Sequence, residues 1–114
     1  MGTGDPMPGA DAQRAELFAE LDRLQREGLT LVDTRGGIDD PAEVRIAHYR
    51  RWAAHYTAEA ALWRRVTDSP FTDRLGRAAG IAAENAAAES ARWWARLAED
   101  TTPGTVTAAG RPAA

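Results

Sequence analysis

Both histidines of this chain lie in the stretch HYRRWAAHYTAE, which covers residues 48–59. His55 stands four residues before Glu59, so the two side chains would touch on one face of a helix. A carboxylate that contacts an imidazole fixes its tautomer, a pairing used in general base catalysis and in the second coordination shell of metal sites. The spacing therefore predicts a catalytic pair in which His55 is the acid or base and Glu59 orients it.

Aromatic and polar side chains accompany this pair on the same predicted helix and on the next one. Aromatic walls with a few convergent polar groups are typical of small-molecule pockets. The facing helix has only alanine in its middle, which leaves room for a pocket between the second and third helices. The sequence thus predicts a site for a small aromatic or hydrophobic ligand, lined by His48, Trp52, Tyr56, Glu89 and Trp93.

Two other interpretations of the pair remain open. It is structural if His55 and Glu59 form a hydrogen bond at the edge of the core, since a buried charge needs a partner. It is part of a metal site if Glu84 or Glu89 of the third helix supplies further ligands. Carboxylate-bridged metal bundles use Glu-x-x-His, whereas the spacing here is His-x-x-x-Glu. We therefore expect no metal and no cofactor.

The first helix is predicted to begin after Asp11, a suitable N-cap, and to end at Gly28, a residue typical of the C′ position. Its apolar stripe has three- and four-residue spacing and consists of Leu17, Phe18, Leu21 and Leu24. The segment LTLVD, residues 29–33, is predicted as a short strand or an extended crossover. A strand there would need a second copy of the chain as its partner.

The second helix has the clearest start signal, because Asp40, Pro41 and Glu43 match the N-cap, N1 and N3 positions of a capping box. It is predicted to run to Thr67. The third helix, capped by Ser69 or Thr72, is predicted to run to about Glu99.

The expected fold is an all-α antiparallel three-helix bundle, a single domain over residues 11–100, which is expected to form a dimer. Two disordered tails flank it, at residues 1–10 and 101–114, where glycine and proline recur without apolar periodicity.

Two faces of the third helix compete for the core. The predicted inner face consists of Phe71, Leu75, Ala79, Ala82, Ala86, Trp93 and Leu97. A second strip consists of the small residues Gly76, Gly80, Ala83, Ala87 and Ala91. This strip either lets the first helix or a second copy approach closely or is simply exposed. Trp94, predicted to lie off the inner face, suggests a contact surface because tryptophan is enriched at interfaces.

Composition excludes several functional classes. The net charge of -3 and the pI near 5.3 argue against nucleic-acid binding as a general function, because such binders usually have a basic footprint. The absence of cysteine rules out disulfides, thiolate metal sites and cysteine nucleophiles. No signal peptide and no membrane span are recognisable in the sequence. We therefore expect a cytoplasmic protein that does not act in a membrane.

The second helix carries two arginine pairs that are expected to face water, Arg50–Arg51 and Arg64–Arg65. Acidic residues of the first helix are expected to balance their charge. No strong catalytic motif is present. The first functional hypothesis is therefore a small interaction protein with a regulatory or accessory role, acting as a homodimer or on a protein partner. The alternative is a small-molecule-binding protein or small enzyme that uses the His/Glu pair.

Overall fold

The computed structural model describes residues 8–33 and 39–102, and over these ranges the chain is all-α, as predicted. Its helices are α1 (Pro8–Asp33), α2 (Ala42–Thr67) and α3 (Arg74–Thr101). None of the three has an apolar stretch long enough to cross a membrane.

The helix boundaries bear on the tails expected at the two ends of the chain. Residues 8–10, expected to be in the first tail, belong to α1, and Thr101, expected to begin the second tail, belongs to α3. The remaining residues of those tails, 1–7 and 103–114, lie outside the described residues.

The prediction for LTLVD is wrong, because α1 continues through Gly28 to Asp33. Leu24, Gly28 and Leu31 recur at helical spacing, and both leucines are buried. Burial of a leucine contributes about 1.5–3 kcal/mol, which exceeds the cost of about 1 kcal/mol for a glycine in a helix. The glycine therefore lies inside the helix and does not end it.

The caps of α2 and α3 also differ from prediction by a few residues. Pro41, and not Asp40, is the N-cap of α2, and its carbonyl accepts the N–H groups of Val44 and Arg45. No side chain caps this end. At α3 the N-cap is Asp73, whose Oδ1 accepts the Gly76 N–H at 2.7 Å.

The hydroxyl groups expected to cap α3 are used by the end of α2 instead. Ser69 Oγ donates to the Arg65 carbonyl at 2.6 Å, and Thr72 Oγ1 donates to the Val66 carbonyl at 2.5 Å. Carbonyl groups in the last turn of a helix lack intrahelical partners, so these two side chains stabilise the turn between the helices.

Both helix pairs are antiparallel. Tyr49 near the start of α2 contacts Trp94 near the end of α3, whereas Arg64 lies near Glu84. Likewise α1 runs against α2, since Glu16 pairs with Arg65 and Glu27 pairs with His55. α2 is therefore the central helix, and no Cα atom of α1 lies within 8 Å of a Cα atom of α3.

The prediction for the inner face of α3 is wrong, because the strip of small residues packs on α2. Gly80 and Ala87 are buried, as is Ala98 further along the same face, whereas Leu75 is 79% exposed and Trp93 is 51% exposed. Small side chains at these positions let the backbones of α2 and α3 approach closely. Trp94 is half-buried on the α2 side and not exposed.

Candidate functional site

A cleft with convergent polar groups lies between α1 and α2, whereas the pocket was predicted between α2 and α3. The volume of the cleft is about 550 Å³, within the range of small-molecule sites. Its walls are mostly apolar, and its polar side chains come from Gln25, His55 and Glu59, beside the phenol of Tyr56 and the indoles of Trp52 and Trp63.

The structure brings together four of the predicted site residues. Trp52, His55, Tyr56 and Glu59 all line the α1–α2 cleft. They share one face of α2 because their spacings of three, four and seven residues match the helical period. His55 is only 7% exposed, so its imidazole contacts mainly protein atoms and little solvent.

The closest acidic partner of His55 is Glu27 of α1, and not Glu59. His55 Nδ1 lies 2.9 Å from Glu27 Oε1, a hydrogen-bond distance. An ionised carboxylate only accepts hydrogen bonds, so Nδ1 carries the proton of the pair and Nε2 is the acceptor of the neutral imidazole. Nε2 lies 3.8 Å from Glu59 Oε2, which is too long for a hydrogen bond.

Gly28 of α1 packs against the imidazole of His55. A Cβ atom at Gly28 would lie 3.4 Å from both Cε1 and Nε2 of the imidazole, so the glycine backbone lies directly over the ring. His55 contacts cavities on both sides of the α1–α2 pair, one beside Glu59 and a smaller one beside Glu27. The imidazole thus separates the two cavities beneath Gly28.

His48 is buried outside the lining of the cleft and contacts Trp52. Its Nε2 accepts a hydrogen bond from Trp52 Nε1 at 2.9 Å. An acceptor Nε2 places the proton of a neutral imidazole on Nδ1. His48 therefore orients the Trp52 indole.

Glu89 and Trp93 are also separate from the cleft. Both lie on α3, where they border a different, shallow cavity together with Ser90 and Trp94. Glu89 and Trp93 do not line the α1–α2 cleft, because α3 turns its small residues toward α2 and carries Trp93 outward.

An aromatic stack occupies the space that the predicted pocket would have filled. The Trp52 ring lies nearly parallel to Tyr56, with centroids 5.7 Å apart, and to Trp94, with centroids 5.5 Å apart. Offset stacking contributes about 0.5–1.5 kcal/mol per pair beyond the buried area. The stack therefore joins α2 to α3 and forms one boundary of the α1–α2 cleft.

Glu84 and Glu89, the further ligands of the metal interpretation, do not join His55. Glu84 lies 3.7 Å from Arg64, and Glu89 is exposed. Within residues 8–33 and 39–102, no three side chains of the types that bind metals converge closely enough to hold an ion.

Sequence reasoning missed the α1 half of the cleft. Gln25 and Gly28 line the cleft, and Glu27 contacts His55 from the same helix. Sequence reasoning did not place the first helix against this face of α2. The available signal was the apolar period that continues from Leu24 to Leu31 across Gly28. Comparisons of the chain with protein-family models, with curated protein sequences and with solved structures found no match.

Proposed function

We propose that this chain is a protein–protein interaction protein with an accessory or regulatory role, and that it works as a homodimer joined through an apolar face. The apolar face consists of Phe18, Leu21 and Leu29 of α1, Trp63 of α2, and Leu75, Ala79, Ala82, Ala86 and Trp93 of α3. The observation that supports the proposal is the exposure of large apolar side chains on α1 and α3, the two helices that flank α2.

The groove exists because α1 and α3 flank α2 without meeting. Near the α2–α3 turn its walls are Phe18 and Leu21 on one side and Ala79 on the other, with Trp63 between them. The groove continues into the α1–α2 cleft, which shares Leu21 and Trp63. A helix or a pair of helices laid along it would complete the bundle.

Four large side chains on the edges of the groove are more than half exposed. Phe18 is 60% and Leu29 is 68% exposed on α1, and Leu75 and Trp93 are similarly open on α3. Contiguous apolar patches of this kind on small proteins mark interaction sites.

The two edges complement each other in size, which favours a second copy as the partner. On α1 the large residues Phe18 and Leu29 are about 16 Å apart. On α3 the small residues Ala79, Ala82 and Ala86 form a hollow between Leu75 and Trp93, whose Cα atoms are about 27 Å apart along the helix. In a two-fold dimer each α1 edge would fill the α3 hollow of the other copy, the reciprocal contact of an isologous interface.

The area of the apolar face fits a small dimer interface. The face is about 27 Å long and about two interhelical spacings, or about 18 Å, wide. Its projected area is thus about 500 Å², and two copies bury on the order of 1,000 Å², the lower limit for a specific interface.

Sedimentation of single-residue variants tests the proposal. We expect the wild-type chain to sediment as a dimer at about 50 µM and Leu75→Asp or Phe18→Asp to sediment as a monomer, because a buried unpaired carboxylate is costly. Both side chains are exposed in one protomer. We therefore expect neither substitution to lower the melting temperature of the monomer itself.

Ile81→Asp is the matched control. Ile81 lies on α3 and is 48% exposed, but its position on the helix is about 120° away from the edge that carries Leu75 and Trp93. The control should remain dimeric. A monomeric wild-type chain, or a Leu75→Asp variant that keeps the dimer mass, would refute the proposed interface.

A further inference from the structure

The α1–α2 cleft contains a pair of hydrogen-bond acceptors that the dimer proposal does not use. One is Nε2 of His55, because Glu27 already engages Nδ1. The other is the carboxylate of Glu59, whose side chain is 30% exposed. Both belong to the same cleft wall on α2.

The spacing of these acceptors suits one ammonium nitrogen. Nε2 and Glu59 Oε2 are 3.8 Å apart. A nitrogen placed above the midpoint of that line lies about 2.9 Å from both atoms, the usual length of a charge-assisted hydrogen bond. An ammonium group has three N–H donors and no acceptor, so it satisfies both atoms at once.

The charge of the cleft favours a cation over an anion. Glu59 contributes a carboxylate, and the described lining includes no arginine. The smaller cavity on the other side of His55, in contrast, is lined by Arg23 and Arg51. That cavity also contains the Glu27 carboxylate, so its charge is mixed, whereas the carboxylate of Glu59 is the charged group in the described lining of the larger cleft.

The remaining walls suit the apolar body of a ligand. Leu21, Leu29 and Val32 of α1 face the rings of Tyr56 and Trp63 across the cleft. Tyrosine and tryptophan also attract a cation near their ring faces by about 0.5–2 kcal/mol. An alkyl or aryl group with a terminal ammonium matches both the walls and the acceptors.

We propose that the cleft is a binding site for a primary organic ammonium with an apolar body, whose nitrogen bridges His55 Nε2 and Glu59. The two acceptors, His55 and Glu59, do not belong to the apolar face, whereas three wall residues of the cleft, Leu21, Leu29 and Trp63, do.

Three probes of one size and different charge test the site by calorimetric titration at about pH 8, where free imidazole side chains are neutral and primary amines are protonated. They are 2-phenylethylammonium, 2-phenylethanol and 3-phenylpropionate. We expect the ammonium to bind with a Kd below about 1 mM, at least tenfold more tightly than the alcohol, and the carboxylate not to bind. Equal affinity for all three would overturn the proposal.

Glu59→Gln is the decisive variant, and Glu84→Gln is its control. Glu59→Gln keeps the side-chain shape but removes the charge, so we expect at least a tenfold loss of ammonium affinity with unchanged binding of the alcohol. Glu84 lies beside Arg64, outside the cleft lining, and its replacement should change the Kd by less than about twofold. An unchanged Kd in Glu59→Gln would also refute the site.

A measurement on Leu75→Asp distinguishes the two proposals. Leu75 lies outside the cleft lining, whereas a second copy on the apolar face would cover the shared walls Leu21, Leu29 and Trp63. Ammonium affinity in this monomeric variant should therefore equal or exceed the wild-type value. Loss of the dimer with retained ammonium binding would show that the ammonium site is complete within one chain. Loss of ammonium binding in this variant would refute a site contained within one chain.

Discussion

The two interfaces between helices, here called the α1–α2 seam and the α2–α3 seam, are formed by side chains of different size. The α2–α3 seam uses small residues such as Gly80 and Ala87, and the aromatic stack on Trp52 fills its far end. The α1–α2 seam uses the leucines Leu17 and Leu24, which keep the backbones further apart. Close backbones leave little free volume, whereas a leucine seam with a glycine above a histidine leaves a cleft on each side. The α2–α3 seam therefore has a structural role, whereas the α1–α2 seam has room for a binding site.

The polar contacts of the seams differ as well. Across the α1–α2 seam the buried imidazole of His55 is held by Glu27, and an exposed ion pair joins Glu16 to Arg65 at 2.9 Å. At the α2–α3 turn the contacts are to backbone groups, such as the Arg77 guanidinium donating to the Thr67 carbonyl at 3.2 Å. Contacts to backbone stabilise a turn, whereas an oriented imidazole in a cleft can act on a ligand.

The largest effect is expected from Leu24→Ala in the leucine seam. Leu24 is 2% exposed and packs with Leu17 and Leu62 in the core cluster, so the cavity left behind should lower the free energy of unfolding by about 2–5 kcal/mol. Urea denaturation measures this. As a control, Val44→Ala shortens a largely exposed side chain and should change stability by less than about 0.5 kcal/mol. Similar effects for the two variants would mean that α1 does not pack on α2 as described.

The next effect compares the glycines of the two seams. A Cβ atom at Gly80 would overlap Thr67 Oγ1, whereas one at Gly28 would meet His55 only at ordinary contact distance. Gly80→Ala should therefore destabilise the fold by about 1–3 kcal/mol. Gly28→Ala should be neutral or stabilising, because alanine is favoured over glycine in helices by about 1 kcal/mol. Thermal melting of the two variants measures the contrast.

A double variant identifies the cause of the Gly80 effect. In a Thr67→Ala background the overlapping hydroxyl is gone, so Gly80→Ala should become neutral or stabilising relative to that background. Persistent destabilisation there would show that the backbones, and not Thr67, limit the space at Gly80.

A smaller effect is expected from the cap that begins α3. Asp73→Ala removes the acceptor for the Gly76 N–H and should cost about 1 kcal/mol. Asp73→Asn retains an acceptor oxygen and should retain most of the stability. Equal losses in the two variants would indicate that the charge of Asp73, and not its hydrogen bond, stabilises the turn.

The smallest effect concerns the exposed side of α1. The hydrogen bond from Arg23 lowers the pKa of Glu20, and the nearby charges of Arg23 and Arg65 act in the same direction. A carboxyl whose pKa is lowered in the folded state contributes stability above the unfolded pKa and loses it as the pH falls through the folded pKa. This small contribution should thus disappear below the ordinary value of 4.5.

Carbon-detected NMR titration of the Glu20 carboxyl provides the measurement. Arg23→Gln should raise the pKa of Glu20 toward its ordinary value, and Arg65→Gln should raise it less, because Arg65 acts only through its charge. A larger change in Arg65→Gln than in Arg23→Gln would contradict the described order of causes.

The sequence by itself determined the number of helices and the residues of α2 that meet in the cleft. Apolar periodicity and the break at residues 68–73 are local signals, so they predicted three helices. Helical spacing alone places Trp52, His55, Tyr56 and Glu59 on one face, so this half of the candidate site was predictable.

Only the tertiary structure decided which helix covers that face and which face of α3 turns inward. Glu27 is 28 residues away from its partner His55, and no local signal encodes a register between two helices. The apolar stripe with Leu75 and Trp93 predicts burial, yet the glycine and alanine strip is buried instead. When two helix backbones approach closely, many weak van der Waals contacts add up along the whole interface. The hydropathy of individual residues does not include this energy.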